Sequence, residues 1–250
     1  MSLTREHSQR FNLSVTKDGI ITRRTYAFPL DETAIKHVFK SAAAKNVTEF
    51  EKRLLNSIRG IKLLRLTTHR ADAPHKLHGS LRDYYPNGML HRQEEYTNGL
   101  RNGLCETYSR TGQRLTSTHY KFGQRNGIHE EYAENGNFLL RAYYKQGRYH
   151  GPVEVRHPNG VLKMKGAYEY DQLHGAYESR DEDNNTLEKG TYEHGQKADL
   201  WHYPHDKEST YVWYMNGEEI ASGEIREDVL KQALQATPKH LPDYIQLEIL

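Results

Sequence analysis

The stretch EYAENGNFLLRAYYKQGRYHG, residues 131–151, decides how this chain is read. It closes on Gly151, one of five glycines (Gly79, Gly103, Gly127, Gly151, Gly175) that recur every 24 residues, with Asp199 at the next step. Tyrosines keep the same frame: Tyr96, Tyr120, Tyr144, Tyr168 and Tyr192. So do the pairs Asn87-Gly88, Thr111-Gly112, Asn135-Gly136 and Asn159-Gly160. A fixed period of this size marks a repeat architecture. Repeat arrays build extended surfaces more readily than enclosed active sites.

Let the periodic glycine be place 0 of each repeat. The Asn-Gly pair then occupies places 8 and 9 between two short runs, which predicts a two-residue hairpin with positive φ. A further glycine at place 20 (Gly99, Gly123, Gly147, Gly195) marks the turn into the next hairpin. The expected fold is mainly β: an elongated antiparallel meander of about five to six hairpin repeats. With that turn, places summing to 17 face each other. Place 3 holds Glu106, Glu130, Glu154 and Glu178, and place 14 holds Ser117, Arg141, Lys165 and Lys189. If place 14 also faces the next place 3, a ladder of alternating sign runs Glu130, Arg141, Glu154, Lys165, Glu178, Lys189. Opposite charges across strands favour pairing and like charges oppose it, so the ladder is a register signal. The same register sets each ladder tyrosine against a periodic glycine on both sides, shielding the bare backbone.

Three regions separate: a small α+β cap over 1–74, the array over 75–217, and a C-terminal helix with an apolar tail over 218–250. In the cap, Leu13–Thr16 and Ile20–Tyr26 flank Asp18-Gly19 as a hairpin. Two helices are expected next, one carrying Ile35, Val38, Phe39 and Ala42, the other Phe50, Leu54 and Ile58. Gly60 stops the second, and Ile61–Leu66 reads as a strand leading into the array. The last region is expected to start with a helix bearing Ile225, Val229, Ala233 and Leu234 and to end at Pro238.

Charge is uneven. Residues 1–70 hold 14 Lys/Arg against 6 Asp/Glu, a net of +8, while the remainder is net −6. A basic end suits nucleic acid or anionic lipid as well as a solvated cap. No run approaches the roughly 18 apolar residues of a membrane span, so no transmembrane segment is expected. The start lacks a signal peptide's apolar run. One cysteine, Cys105, leaves no internal disulfide framework. These features point to a cytoplasmic, intracellular setting.

The pattern Tyr/x-x-x-Asn-Gly, seven or eight residues, Tyr-x-x-Gly-x-x-x-Gly resembles the MORN-repeat family, closest to its bacterial and viral antitoxin-type variant. YYPNGMLHRQEEYTNGLRNG (84–103) and the 131–151 stretch carry it best, and the resemblance spans 75–217. It implies a β-meander interaction platform, with lipid binding proposed for some members. The fifth unit departs from the pattern at Asn184 and Asp199, and a sixth around Trp201 and Trp213 is degenerate. The tail LPDYIQLEIL (241–250) resembles the opening helix of an F-box, which would imply a ubiquitin-ligase adaptor.

Catalytic, cofactor and metal sites are not expected. His78, His150 and His174 share one place, but adjacent copies would lie about 9.5 Å apart, two strand spacings. Metal ligands need bonds of about 2 Å. Cys105 and His129 share another place and are separated in the same way. One face is expected to carry the tyrosine row and an apolar centre of Phe138, Leu140, Val153, Val155, Leu162 and Met164. The other carries the charge ladder, flanked by tyrosines and then by Arg156, Lys163 and Arg180. An apolar centre must pack on something. It is either covered by the chain itself or forms the surface that takes another protein. The expected function is non-catalytic binding of a partner protein, either a toxin or an assembly component. Lipid or nucleic-acid binding through residues 1–70 is the other class.

Overall fold

The computed structural model describes residues 9–28, 62–204 and 209–236. The chain divides into two compact units, Met1–Gln124 and Arg125–Leu250. In the first, β1 (Gln9–Lys17), β2 (Ile20–Phe28), β3 (Lys62–Arg70), β4 (Ala73–Tyr84), β5 (Leu90–Thr97), β6 (Leu100–Tyr108) and β7 (Arg114–Lys121) follow one another. Each pairs antiparallel with the next. The second unit takes up β8 (Gln124–Tyr132), β9 (Phe138–Lys145), β10 (Arg148–Arg156), β11 (Leu162–Glu169), β12 (Gln172–Leu173) and β13 (Gly175–Arg180). It continues through β14 (Thr186–Glu193), β15 (Gln196–Pro204), β16 (Ser209–Met215), β17 (Glu218–Gly223) and helix α1 (Arg226–Ala236). Its strands form an antiparallel meander as well, β11 pairing with both β12 and β13.

The register of the charge ladder is the expected one. Glu130 faces Arg141, Arg141 faces Glu154, Glu154 faces Lys165, Lys165 faces Glu178, and Glu178 faces Lys189. Arg141 holds Glu130 across the strands at 2.8 Å, but the next two ion pairs of the ladder run along their strands. Arg156 holds Glu154 at 2.6 Å and Arg180 holds Glu178 at 2.7 Å, each from two residues on in the same strand. Earlier repeats have tyrosine at that place, and Tyr108 and Tyr132 donate to Glu106 and Glu130 at 2.9 Å.

The two turn types exchange the roles expected of them. The tight two-residue turns with both φ positive are at places 19 and 20, as in Asn98-Gly99 and His194-Gly195. The Asn-Gly site is a wider loop in which only the glycine is left-handed. There Gly88 N–H donates to Tyr85 O, and Tyr85 N–H donates to Met89 O, both at 2.8 Å. A bulge accompanies each wide loop, between Asp83 and Tyr84 and at the matching sites. It slips the register by one, and a one-residue slip moves a side chain to the opposite face.

A second bulge corrects the expectation for the periodic glycine. Each ladder tyrosine does face it on one side: Gly79–Tyr96, Gly103–Tyr120, Gly127–Tyr144, Gly151–Tyr168 and Gly175–Tyr192. On the other side the tyrosine faces place 22 instead, as in Tyr96–Arg101, Tyr144–Tyr149 and Tyr192–Lys197. The register shifts there by two residues, and glycine occupies the bend with φ of +127° at Gly103 and +113° at Gly151. A Cβ on Gly103 would lie 2.9 Å from Glu95 Cβ on the preceding strand. The gaps between tyrosines are therefore filled by place-22 side chains. Tyr149 lies 4.4 Å from Tyr144 and 5.1 Å from Tyr168, centroid to centroid.

At the start of the chain, the Asp18-Gly19 hairpin and a strand entering the array (β3) are as expected. The two helices expected between them lie outside the described residues, as do Pro238 and the F-box-like tail. After residue 217 the meander runs on for one more strand, β17, before the helix begins. Helix α1 buries Val229, Leu230 and Ala233 against Trp213 and Ala221. Ile225, expected on that stripe, is 57% exposed. Glu227 and Asp228 in the first turn complement the helix dipole.

Gly103→Ala should cost more than 1 kcal/mol, because it combines a disfavoured φ with a backbone-proximal clash. Gly88→Ala has positive φ but nothing within 4 Å of the new Cβ, and should cost less; urea melts of both variants check the order. Asp199 occupies the next glycine place with φ of +59°. Burial, followed by the nearby Glu193 charge, raises its carboxyl pKa. A raised folded-state pKa gives stability that is present below the usual carboxylate range and lost as pH rises through the folded value. Asp199→Asn, which tolerates the same φ, should raise Tm at pH 7. The gain should shrink to nothing as the pH is lowered below the carboxylate range.

Candidate interaction groove

The bulges sort the side chains into two faces. On the tyrosine face of the second unit, Ala142, Tyr144 and Val153 are buried, and Leu140, Val155, Met164, Tyr149 and Tyr168 pack on them. Phe138 and Leu162 do not join this cluster, contrary to the single apolar centre expected. The wide-loop bulge pairs Phe138 with Tyr132 and Leu162 with Arg156, putting both on the ladder face. Phe138 sits edge-on to Tyr132, with the guanidinium of Arg141 5.0 Å and that of Arg156 5.9 Å from its ring centre.

The tyrosine face ends in an aromatic box. Trp201 is fully buried and touches Tyr177, Tyr192, Tyr203 and Tyr214. Room for it comes from Gly190, where an added Cβ would fall inside the indole. Lys197 Nζ lies 4.0 Å from the Trp201 ring centre and 4.9 Å from that of Tyr203. It donates to Tyr203 Oη at 2.7 Å and to Glu188 at 2.9 Å. Burial, then the hydrogen bond with Tyr203, pushes the Tyr214 hydroxyl up to about 12, so this phenol stays protonated at neutral pH. The box is filled by its own lysine and offers no vacancy to a ligand.

The same places carry a different chemistry in the first unit. Asp83 accepts from Arg65 and Arg92, both at 2.6 Å, and Glu94 accepts from Arg101 and Tyr96, both at 2.8 Å. Burial alone would raise the Asp83 carboxyl, but the hydrogen bonds from Arg65 and Arg92 outweigh it and hold the pKa low. Burial pushes the Cys105 thiol up, away from the thiolate that nucleophilic chemistry needs.

The ladder face of the second unit contains a groove of about 750 Å³. Its floor is Ala167, Ala176 and Thr191, with Ala176 paired to Thr191. These are places 1 and 16. In the repeat that begins at Gly127 the same places hold Ile128 and Tyr143, which face each other. Leu200 and Trp213, paired further on, are large again. The groove is therefore where the repeats become small and then stop being small. That departure was visible in the sequence as a break in side-chain size at two fixed places.

Lys165, Glu178 and Lys189 cross the floor as neighbouring rungs of the ladder. Glu178 is engaged by Arg180, whereas neither lysine forms an ion pair among the described residues. One wall is Leu200, His202 and Tyr211, and Arg226 stands at the start of α1. His202 stacks on Tyr211 at 4.6 Å, and its Nε2 is buried without a hydrogen-bond partner among the described residues. Burial and then the Lys189 charge lower its pKa, so the ring is neutral at neutral pH. The result is a basic trough with an apolar floor and one unsatisfied polar atom in its wall.

Of the residues read as partner-binding, the structure thus places Phe138, Leu162, Arg156 and Arg180 on the ladder face. Leu140, Val153, Val155 and Met164 lie on the tyrosine face, where Val153 is core. Residues 77–98 match the MORN repeat variant family. The matched stretch contains the Gly79–Tyr96 hairpin, and its places recur in the repeats that follow. A MORN repeat points to a repeat-based protein that binds or scaffolds, in a family that is generally non-catalytic. No curated protein matches the chain. One solved structure with some similarity is titled "Glycosylation Associate Protein (Gap123) complex from Streptococcus agalactiae". It is 12% identical with a TM-score of 0.26, and the match covers 56% of this chain and 25% of that one. Among the described residues, no helix is long and apolar enough to cross a membrane.

Proposed function

We propose that this chain is a non-catalytic, protein-binding repeat protein whose ladder-face groove holds an acidic segment of a partner. The observation that carries this reading is the pair of unpaired lysines, Lys165 and Lys189, over a floor of small residues. An acidic strand or loop would meet two ammonium groups that have no ion-pair partners of their own among the described residues. Opposite potentials across an interface steer encounter and fix register. The hydroxyls and methyls of the floor leave room for the partner's backbone. Phe138, Arg156 and Arg180, on the same face, extend the surface beyond the groove. The buried, unpaired Cys105 suits a reducing, cytoplasmic compartment.

Two working modes fit a binding repeat. In the antitoxin-like mode the face occludes one partner in a one-to-one complex. In the scaffold mode it joins a larger assembly, viral or cellular. The groove favours the first, because a single trough of this size takes one segment.

The test fills the groove with residues the chain already uses. Ala167→Tyr with Ala176→Ile copies Tyr143 and Ile128 at the same two places. Lys165→Gln with Lys189→Gln removes both charges without setting like charges against Glu154 and Glu178 across the ladder. Both pairs should keep the wild-type Tm and lose the partner recovered with the wild-type chain from its own cells, by at least tenfold in Kd when the pair is reconstituted. Light scattering of the reconstituted complex should give one copy of each. If both variants bind as the wild type does, the groove is not the interface. Binding that survives both and instead falls steeply with salt would point to nucleic acid or lipid.

A further inference from the structure

We infer that Glu169, His174 and His194 form a binding site for a divalent transition-metal ion of the zinc class. One ligand atom from each residue lies within 4.8 Å of the other two. The residues come from three separate segments: the end of β11, the link between β12 and β13, and the tight turn between β14 and β15. What brings them together is a contact that recurs at five successive junctions. The place-23 residue of one repeat lies beside the place-19 turn residue of the next, about one hairpin further on.

In the earlier repeats this contact is a hydrogen bond to the turn amide. Asn98 N–H donates to His78 Nδ1 at 3.4 Å, Phe122 N–H to Asn102 Oδ1 at 3.2 Å, and Gln146 N–H to Asn126 Oδ1 at 3.4 Å. At the next junction His150 packs on Tyr170. At the last, His174 meets His194 with ring centres 5.2 Å apart. There the imidazole Nδ1 of His174 is buried without a hydrogen-bond partner among the described residues. Backbone bonds fix both segments: His174 N–H donates to Ala167 O at 2.9 Å, and Gly195 N–H to Leu173 O at 2.8 Å.

Place 18 supplies the third ligand. It reads Thr97, Lys121, Lys145, Glu169 and Glu193 along the chain. In the repeat before, the equivalent trio is Lys145, His150 and Tyr170, with one metal-binding side chain. In the repeat from Gly151 all three places hold ligating residues. Equivalent histidines at place 23 are too far apart to share an ion, but the junction pairs different places. Two imidazoles and a carboxylate are a donor set suited to zinc at bonds of about 2.0–2.1 Å, with an open fourth position for water. A tetrahedral ion sets its ligands about 3.4 Å apart. Binding would draw the three atoms in from their present separations, all within 4.8 Å, to that spacing. Bound there, the ion would staple the β14–β15 turn to the hairpin before it.

The test uses the full chain with zinc sulfate and a competing chromophoric chelator at pH 7.4. The wild type should take up one ion tightly and melt at a higher temperature with zinc than without. His174→Asn and His194→Asn put in residues found at the same places, Asn102 and Asn98, so the turn geometry is kept. Each should weaken binding at least tenfold and abolish the zinc-dependent rise in Tm. Glu169→Lys, which copies Lys145, should do the same, and His150→Asn should change neither. If the wild type takes up no stoichiometric zinc, or the His174 and His194 variants bind as tightly as it does, the site is disproved. A variant that melts early without metal is judged on Glu169→Lys, whose side chain leaves the turn untouched.

Discussion

The amide of each tight-turn residue at place 20 donates to the carbonyl at place 22 of the hairpin before it. Gly99 reaches Leu77 O, Gly123 reaches Arg101 O, Gly147 reaches Arg125 O and Gly195 reaches Leu173 O, each at 2.8 Å. Place 22 sits at the edge of the two-residue bulge, where the ladder between strands is interrupted. A buried or half-buried carbonyl left without a donor costs more than a made hydrogen bond returns. The bulge is tolerable because the next turn supplies that donor. The turn in turn needs positive φ at both residues, and the bulge needs it at place 0, which is glycine from Gly79 to Gly175 and then Asp199. The periodic glycines of both kinds, at the bulge and in the tight turn, serve this one contact. At the opposite edge a similar tie runs through side chains, with Asn87 Nδ2 donating to Arg110 O and Asn159 Nδ2 to Glu182 O.

The backbone so fixed is indifferent to what its faces carry. At the same places one unit builds a network of buried carboxylates held by part-exposed arginines, and the other builds an aromatic box around Lys197. A buried ion pair needs its partners complete, while packed rings need volume matched, as Gly190 is to Trp201. Both demands are met locally, within one or two hairpins. Chemistry can therefore vary from repeat to repeat while the register stays constant, and the groove at Ala167, Ala176 and Thr191 is such a variation.

Much of this was legible in the sequence. The 24-residue period and the alternating signs from Glu130 to Lys189 set the strand order and the register, because like charges in the wrong register would face each other. The bulges were not legible. Asn-Gly reads as a tight turn, and only the backbone shows that it closes a wider loop while pairs such as Phe122-Gly123 make the tight ones. That difference moved Phe138 and Leu162 to the other face and set Tyr149, not a glycine, between Tyr144 and Tyr168. The groove could have been found by comparing side-chain size at places 1 and 16 across repeats. The meeting of His174 with His194 could not, since it pairs two different places across a junction that strand spacing alone does not describe. In α1, Leu230 is core and Ile225 is not, because the helix begins after Ile225.

Every tie described reaches from one hairpin to the next and no further. An array built this way has no long-range bookkeeping: within a unit, the places flanking any 24-residue segment are those that flank its neighbour. Removing such a segment, or duplicating it, joins like to like and leaves no orphaned amide or carbonyl at the seam. Length in this chain is a quantity that recombination can change in whole repeats without redesign, and each copy gained is a fresh surface on which side chains are free to diverge.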